Sequence, residues 1–170
     1  DDKGKILISA ENQPDVFIGS DVKSEDDNFF VGKKEKVIAA VPLEDGLVIF
    51  KESENFLLSG DNPSNFLITP LVGTMPCIAP ESAVPIQKEG NSFIIYHARD
   101  GVYVLSFIRG LFKKELVGDK ISNDIRAYWE SGNTKEISAN KMSYTVAWLD
   151  SVNNEYRSLL ESGTGTTQFN

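Results

Sequence analysis

The chain has 170 residues, of which 41% are apolar, so it is long enough to bury a core and too apolar for wholesale disorder. Its formal net charge of -8 argues against binding to nucleic acid phosphates or to anionic membrane surfaces. The single cysteine, Cys77, excludes an internal disulfide, and with one histidine it excludes a zinc site of the usual Cys/His type within one chain. No apolar run approaches the roughly twenty residues that a membrane-spanning helix needs.

Alternation of apolar and polar residues, interrupted by Gly, Asn and Asp, dominates the sequence. A period of two residues predicts half-buried strands, and the short connections between the apolar runs suit antiparallel meanders. We therefore expect an all-β fold. In chain order, the predicted strands cover residues 5–9, 15–19, 37–43, 46–51, 55–59, 65–70, 82–87, 92–97, 101–108, 143–150 and 155–160.

Two segments depart from the strand pattern. The segment 21–35 is highly charged, and its composition predicts an exposed loop. Further along, Ser122 can cap a helix near 121–131 that ends at Gly132 and carries Trp129. The sequence predicts this one short helix and no other.

A block of two apolar strands joined by a polar turn recurs along the chain. Its copies begin near Val37, Ser82 and Ser143, at separations of about 45 and then about 60 residues, and four strands per unit at this period is typical of propeller blades. We treat residues 1–170 as a single β domain with two complete units and partial units at each end. A closed propeller typically needs four or more blades. We therefore expect a partial β-propeller that is a fragment of a larger chain, or that other copies complete.

The repeat also predicts turn glycines and two apolar faces. Gly46, Gly90 and Gly101 are expected to adopt a positive φ in hairpin turns. Apolar side chains on both faces of a sheet are expected where the sheet lies between two others. The side chains predicted to share one face are Leu47, Ile49, Phe93, Ile95, Val102 and Val104, and those on the other are Val48, Phe50, Ile94 and Tyr96.

Chemistry-bearing residues are sparse. His97, the only histidine, follows a strand, and a catalytic triad would require Cys77 or a serine beside it, which the spacing does not indicate. We interpret His97 as a structural histidine and keep a hydrolase that uses it as an alternative. The acidic residues of 21–27 lack the spacing of a calcium loop, which favours a solvated loop. The sequence therefore predicts no catalytic, cofactor-binding or metal-binding residue.

Three aromatic residues are candidates for contacts with other molecules. Phe29 and Phe30 form an apolar pair inside the charged segment, where they either contact a neighbouring subunit or fold back on the core. Trp129, on the predicted helix, is a third candidate for docking.

Several segments resemble the β-propeller structural proteins of tailed bacteriophage virions, of the tail accessory or DNA-stabilisation type. The resemblance extends over roughly the whole chain, although residues 107–112 are longer and more apolar than the usual glycine-terminated turn. The segments that carry it are 6–9, 14–17, 37–50, 56–60, 73–82, 100–105 and 121–122 ahead of Trp129.

The resemblance implies a non-enzymatic component of the virion that acts through contacts between subunits. Its partners would be other virion subunits or further copies of the chain, in an oligomeric assembly. From the charge and the lack of ligand motifs we expect no cofactor, no membrane contact and no direct binding of nucleic acid. The alternative is a secreted or surface-attached β domain that binds carbohydrate or protein, with which the acidic composition is compatible.

Overall fold

The computed structural model of the protein describes residues 5–7, 9–10, 13–17, 28–44, 46–61, 65–109, 114–121 and 142–160. Antiparallel strands dominate these residues, and the helical turns among them are short 3-10 helices over Pro80–Ser82 and Met142–Tyr144. The prediction of an all-β fold of antiparallel meanders is therefore confirmed. The predicted helix lies outside the described residues apart from Ile121, as does Trp129.

Four short strands come first, namely β1 (Lys5–Leu7), β2 (Ser9–Ala10), β3 (Gln13–Phe17) and β4 (Asn28–Phe30). β1 pairs with β4, and β2 pairs with β3, in two antiparallel sheets. The pairing of β4 corrects the prediction of an exposed loop over 21–35 at residues 28–31, since residues 28–30 form a strand and Val31 is fully buried. Residues 32–34 are exposed bends, as predicted, and residues 21–27 lie outside the described residues.

Three repeat units follow, and two of them are four-stranded sheets with meander order. The first unit contains β5 (Val37–Leu43), β6 (Gly46–Lys51), β7 (Asn55–Ser59) and β8 (Leu67–Pro70). The second contains β9 (Val84–Lys88), β10 (Asn91–Ala98), β11 (Gly101–Arg109) and β12 (Lys114–Lys120). The third is a hairpin of β13 (Val146–Asp150) and β14 (Glu155–Leu159). No sheet closes on itself within the described residues.

Alternate residues of each unit face opposite neighbours, as the period of two predicts. We call the side toward the following unit the forward face and the other the backward face. The forward face of the first unit and the backward face of the second form one buried cluster: Val41, Leu43, Val48, Phe50, Ile94, Tyr96, Ala98, Tyr103, Leu105 and the intervening Cys77. The backward face of the first unit packs on residues near β1 and β4, in a cluster of Val31, Ile49, Phe56 and Leu58 with Ile6 and Leu47 at its margin.

The hairpin turns correct one of the three glycine predictions. Gly90 and Gly101 have positive φ, at 77° and 153°, but the positive φ of the β5–β6 turn, 52°, belongs to Glu44. Gly46 pairs directly with Leu43, so it is already a strand residue and the turn lies before it. Its small size serves a close approach instead, since a Cβ there would lie 2.9 Å from the backbone oxygen of Leu58.

The close approach at Gly46 gives the first prediction. Gly46→Ala should lower the free energy of unfolding by about 1–3 kcal/mol, because the added methyl group overlaps a backbone oxygen that cannot move without disturbing the β6–β7 pairing. Glu44→Gly, which relieves a positive φ, should leave stability unchanged or raise it by up to about 1 kcal/mol. Urea unfolding measures both effects. An alanine tolerated at position 46 would contradict the steric explanation.

Candidate interaction surface

The segment 71–83 connects the first two units and is held by polar side chains from both. From the first unit, the amide nitrogen of Asn55 donates to the Thr74 hydroxyl at 2.9 Å and to the Met75 carbonyl at 2.8 Å. From the second unit, the Tyr96 hydroxyl donates to the same carbonyl at 2.9 Å. Because buried polar groups must be paired, these bonds fix the connector against both sheets.

The same connector brings Cys77 and Ser82 close to His97, the arrangement that a nucleophilic site would require. Ser82 Oγ donates to the Ala79 carbonyl at 2.7 Å and accepts from the backbone N–H of His97 at 3.0 Å, so the contact uses the histidine backbone and not its ring. Cys77 Sγ also donates to the Ala79 carbonyl, at 3.2 Å, and burial raises the pKa of its thiol to about 11. At neutral pH the thiol is therefore protonated. The geometry is that of a structural hydrogen-bond network and not of a nucleophilic site.

The His97 ring points toward the third unit. It lies on the forward face of the second unit, fully buried, and stacks on the Tyr156 ring with centroids 6.1 Å apart. The Tyr156 hydroxyl donates to the Ser82 carbonyl at 2.8 Å. Burial lowers the pKa of His97 to about 4, so the ring is neutral at physiological pH. This contact joins the third unit to the second.

A buried lysine anchors the segment that follows β4. Lys51 is fully buried, and its ammonium group donates to the carbonyl oxygens of Val31 and Lys33 and lies 5.8 Å from the centroid of the Phe56 ring. Gly32, with a φ of 58°, lies where a side chain would overlap the Phe56 ring. These contacts hold residues 31–33 against the backward face of the first unit, which is the physical reason that Val31 is buried, while residues 32–34 form the exposed loop that the sequence predicts.

The forward face of the third unit is exposed. In the register of the hairpin, Val146 pairs with Leu159 and Trp148 pairs with Arg157, so all four side chains share one face. Val146, Trp148 and Leu159 are 44%, 42% and 41% exposed. A row of large apolar side chains open to solvent on one face is typical of a surface that another protein covers.

Charged residues border this face at the turn. Arg157 lies 3.0 Å from both the Asp150 and the Glu155 carboxylates. Asp150 also accepts from the backbone N–H groups of Val152 and Asn153, and a hydrogen bond from the Asn153 side chain is the main reason that its pKa is lowered. These bonds hold the turn together, and the apolar row ends in a polar rim in which Asp150, Glu155 and Arg157 carry a net charge of about -1.

A second feature is a cleft between the first two units at the end that carries the β5–β6 and β9–β10 turns. Its larger part has a volume of about 440 Å³, and an adjoining part of about 280 Å³ shares Glu44, Ser92 and Phe93 with it. The lining also includes Asn91, Gln87, two serines, Phe107 and the apolar residues Pro42, Leu43, Pro85, Ile86 and Val104, with no Lys or Arg among its described residues. The cleft suits a neutral polar ligand with an apolar side.

No protein-family model matches the chain, and no curated protein matches it. Among the described residues, no helix has the length and apolar character needed to cross a membrane. In the same part of the chain, no group of three or more His, Cys, Asp or Glu side chains is placed to share a metal ion.

The structure describes only some of the residues that the sequence predicts to make contacts. Phe29 and Phe30 lie in β4, and only their backbone belongs to the described residues, while Trp129 and the acidic residues of 21–27 lie outside them. The exposed face of the third unit was not among the predicted sites. Its strands were predicted, but the alternation that signals a half-buried strand is the same whether or not a neighbour covers the apolar side.

The burial of His97 predicts a pH dependence of stability. The unfolded chain protonates this histidine near pH 6.5, whereas the native ring stays neutral down to about pH 4. The unfolded state therefore binds more protons in this window, and stability should fall by on the order of 3 kcal/mol as the pH drops through it. Urea unfolding at pH 7, 5.5 and 4.5 should show a steeper loss for the wild type than for His97→Phe. Parallel losses in the two proteins would contradict this account.

Proposed function

We propose that the protein is a non-enzymatic structural subunit that holds neighbouring subunits together in a larger assembly. The observation that carries this proposal is the open forward face of the third unit, in a chain whose earlier units all cover one another. The first unit covers its forward face with the second, and the second contributes His97 to its contact with the third. The third unit is the point at which this series of covered faces stops within the described residues.

Equivalent positions in the three units differ in their exposure to solvent. One position recurs in the first strand of every unit, two residues before the last residue pair of its hairpin. It is occupied by Val41, Ile86 and Trp148, which are therefore structurally equivalent. Val41 and Ile86 are 5% and 6% exposed, whereas Trp148 is 42% exposed. A position that is buried in two units and exposed in the third supports a neighbour that comes from outside the described residues.

The arrangement of the units is compatible with blades of a partial β-propeller, and we propose that fold in this finer sense. The first strands of successive units are neighbours in chain order, since β5 contacts β9 and β9 contacts β13. In a β-propeller, the first strands of successive blades line a common central axis, and these contacts suit that arrangement. An incomplete set of blades leaves faces open, which is consistent with completion by a partner.

The resemblance to the β-propeller proteins of tailed phage virions suggests which assembly this is. We propose the virion as the location and other virion subunits or further copies of the chain as partners. The net charge of -8 supports contacts with protein in preference to phosphate groups.

The cleft between the first two units favours a second candidate function, a β domain that binds carbohydrate. An aromatic ring beside amide and carboxylate groups, as at Phe107, Asn91 and Glu44, can contact both the apolar and the hydroxyl sides of a sugar. A glycan array with clear hits that Phe107→Ala abolishes would establish it, whereas an array without hits would leave the structural role as the single candidate.

The proposal predicts that the protein associates through the third unit. Trp148→Arg should shift a wild-type oligomer toward the monomer, because it places a charge where a neighbour must pack. Val152→Arg is the matched control, since Val152 lies in the turn of the same hairpin, is 87% exposed and does not belong to the apolar row. Light scattering after size-exclusion chromatography measures both. A stable wild-type monomer at all concentrations would contradict the proposal.

A further inference from the structure

We propose that protonation of His97 at mildly acid pH releases the third unit from the second and thereby weakens association through the open forward face. The release is a property of this chain alone. Its effect on association rests on the proposed assembly role and adds a regulation of the same surface. The third unit is then a pH-sensitive element next to a stable pair of sheets.

The third unit is packed less tightly than the two units before it. No residue of β13 or β14 is fully buried, whereas the contact between the first two units contains ten buried side chains. The third unit is also a two-stranded sheet, and an isolated hairpin is at best marginally stable in water. Of the three repeat units, the third therefore opens at the lowest cost in free energy.

The contact between the second and third units is centred on His97. Its ring is fully buried and stacks on the Tyr156 ring, with centroids 6.1 Å apart and ring planes 29° apart. The Tyr156 hydroxyl donates to the Ser82 carbonyl at 2.8 Å, and Ser82 Oγ accepts from the backbone N–H of His97 at 3.0 Å. Three neighbouring side chains thus link β10, the connector and β14.

A charge on His97 opposes this packing. The imidazolium loses its hydration in the buried contact, and burial lowers the pKa of the ring to about 4. When the third unit moves away, the face that carries the ring is uncovered and the pKa returns toward 6.5. The released state therefore binds the proton more tightly. Lowering the pH from 7.5 to 5.5 should shift the equilibrium toward release by about 10-fold.

His97 is the only histidine of the chain, and histidine is the side chain whose ordinary pKa lies in this window. Burial raises the pKa of Cys77 and of Tyr156, so both stay neutral. Partial burial opposes ionisation of Asp100, but hydrogen bonds from Lys120 and Tyr103 lower its pKa, so it stays charged. The other charged groups on the elements around His97 are exposed or form ion pairs: Glu81, Arg99, Asp150, Glu155 and Arg157.

Amide hydrogen exchange measures the release directly, at protein concentrations below those of association. In the wild type, the β13–β14 amides should be less protected than those of β6 and β7. Their protection, corrected for the intrinsic pH dependence of exchange, should fall about 10-fold from pH 7.5 to pH 5.5. If the β13–β14 amides exchange only together with those of β6 and β7, the third unit opens by global unfolding and the proposal is overturned.

Two variants separate the charge of His97 from the rest of the contact. His97→Phe keeps a ring that can stack on Tyr156 but does not titrate, so the protection of β13–β14 should no longer depend on pH. Tyr156→Phe removes the hydrogen bond to Ser82 and keeps the stack, so protection should fall by roughly 2- to 10-fold at both pH values while its pH dependence remains. A His97→Phe protein with the pH dependence of the wild type overturns the proposal.

Analytical ultracentrifugation at pH 7.5 and pH 5.5 tests the effect on association. The association constant of the wild type should fall by up to about 10-fold relative to that of His97→Phe, which corrects for the general change in charge. Equal changes in the two proteins overturn the regulation and leave the assembly role standing. A wild type that is monomeric at pH 7.5 overturns the assembly role, whereas the release is decided by hydrogen exchange alone.

Discussion

The connector 71–83 is the constraint on which the arrangement of the sheets depends. Side chains from all three units donate hydrogen bonds to it. Asn55 of the first unit and Tyr96 of the second donate to the Met75 carbonyl, and Tyr156 of the third donates to the Ser82 carbonyl. Carbonyl groups that lie between packed sheets need partners, and these side chains supply them to Met75 and Ser82 in the observed arrangement of the three units. Stacking of the apolar faces provides the driving force, while this network decides which faces meet.

A stack fixed in this way has a direction. Each described contact joins the forward face of one unit to the backward face of the next, so the two ends of the series are chemically different. The forward end of the described series is the exposed row of Val146, Trp148 and Leu159. The residues that looked reactive, Cys77 and His97, are instead held inside the stack, where burial keeps the thiol protonated and the imidazole neutral.

Only part of the candidate interaction surface could be predicted from the sequence. The strand that carries Trp148 was predicted from its alternation, but its exposure depends on a neighbour that alternation does not report. Phe29 and Phe30 are candidates for contacts because the charged composition of the surrounding segment predicts an exposed loop. Such a prediction from local composition could not include Lys51, which lies about twenty residues further on and whose ammonium group binds the carbonyl oxygens of residues 31 and 33.

The sequence by itself determined the all-β class, the bounds of β5, β6 and β7, and the two faces of the central strands, since side-chain alternation is a local consequence of strand geometry. It did not reveal β12, whose charged residues show no clear alternation, because an outer strand is defined by pairing with its neighbour. Only the tertiary structure decided that Glu44 and not Gly46 has the positive φ, and which apolar face stays open. Both outcomes depend on contacts between residues distant in sequence: the register of paired strands, and the covering of one sheet by the next.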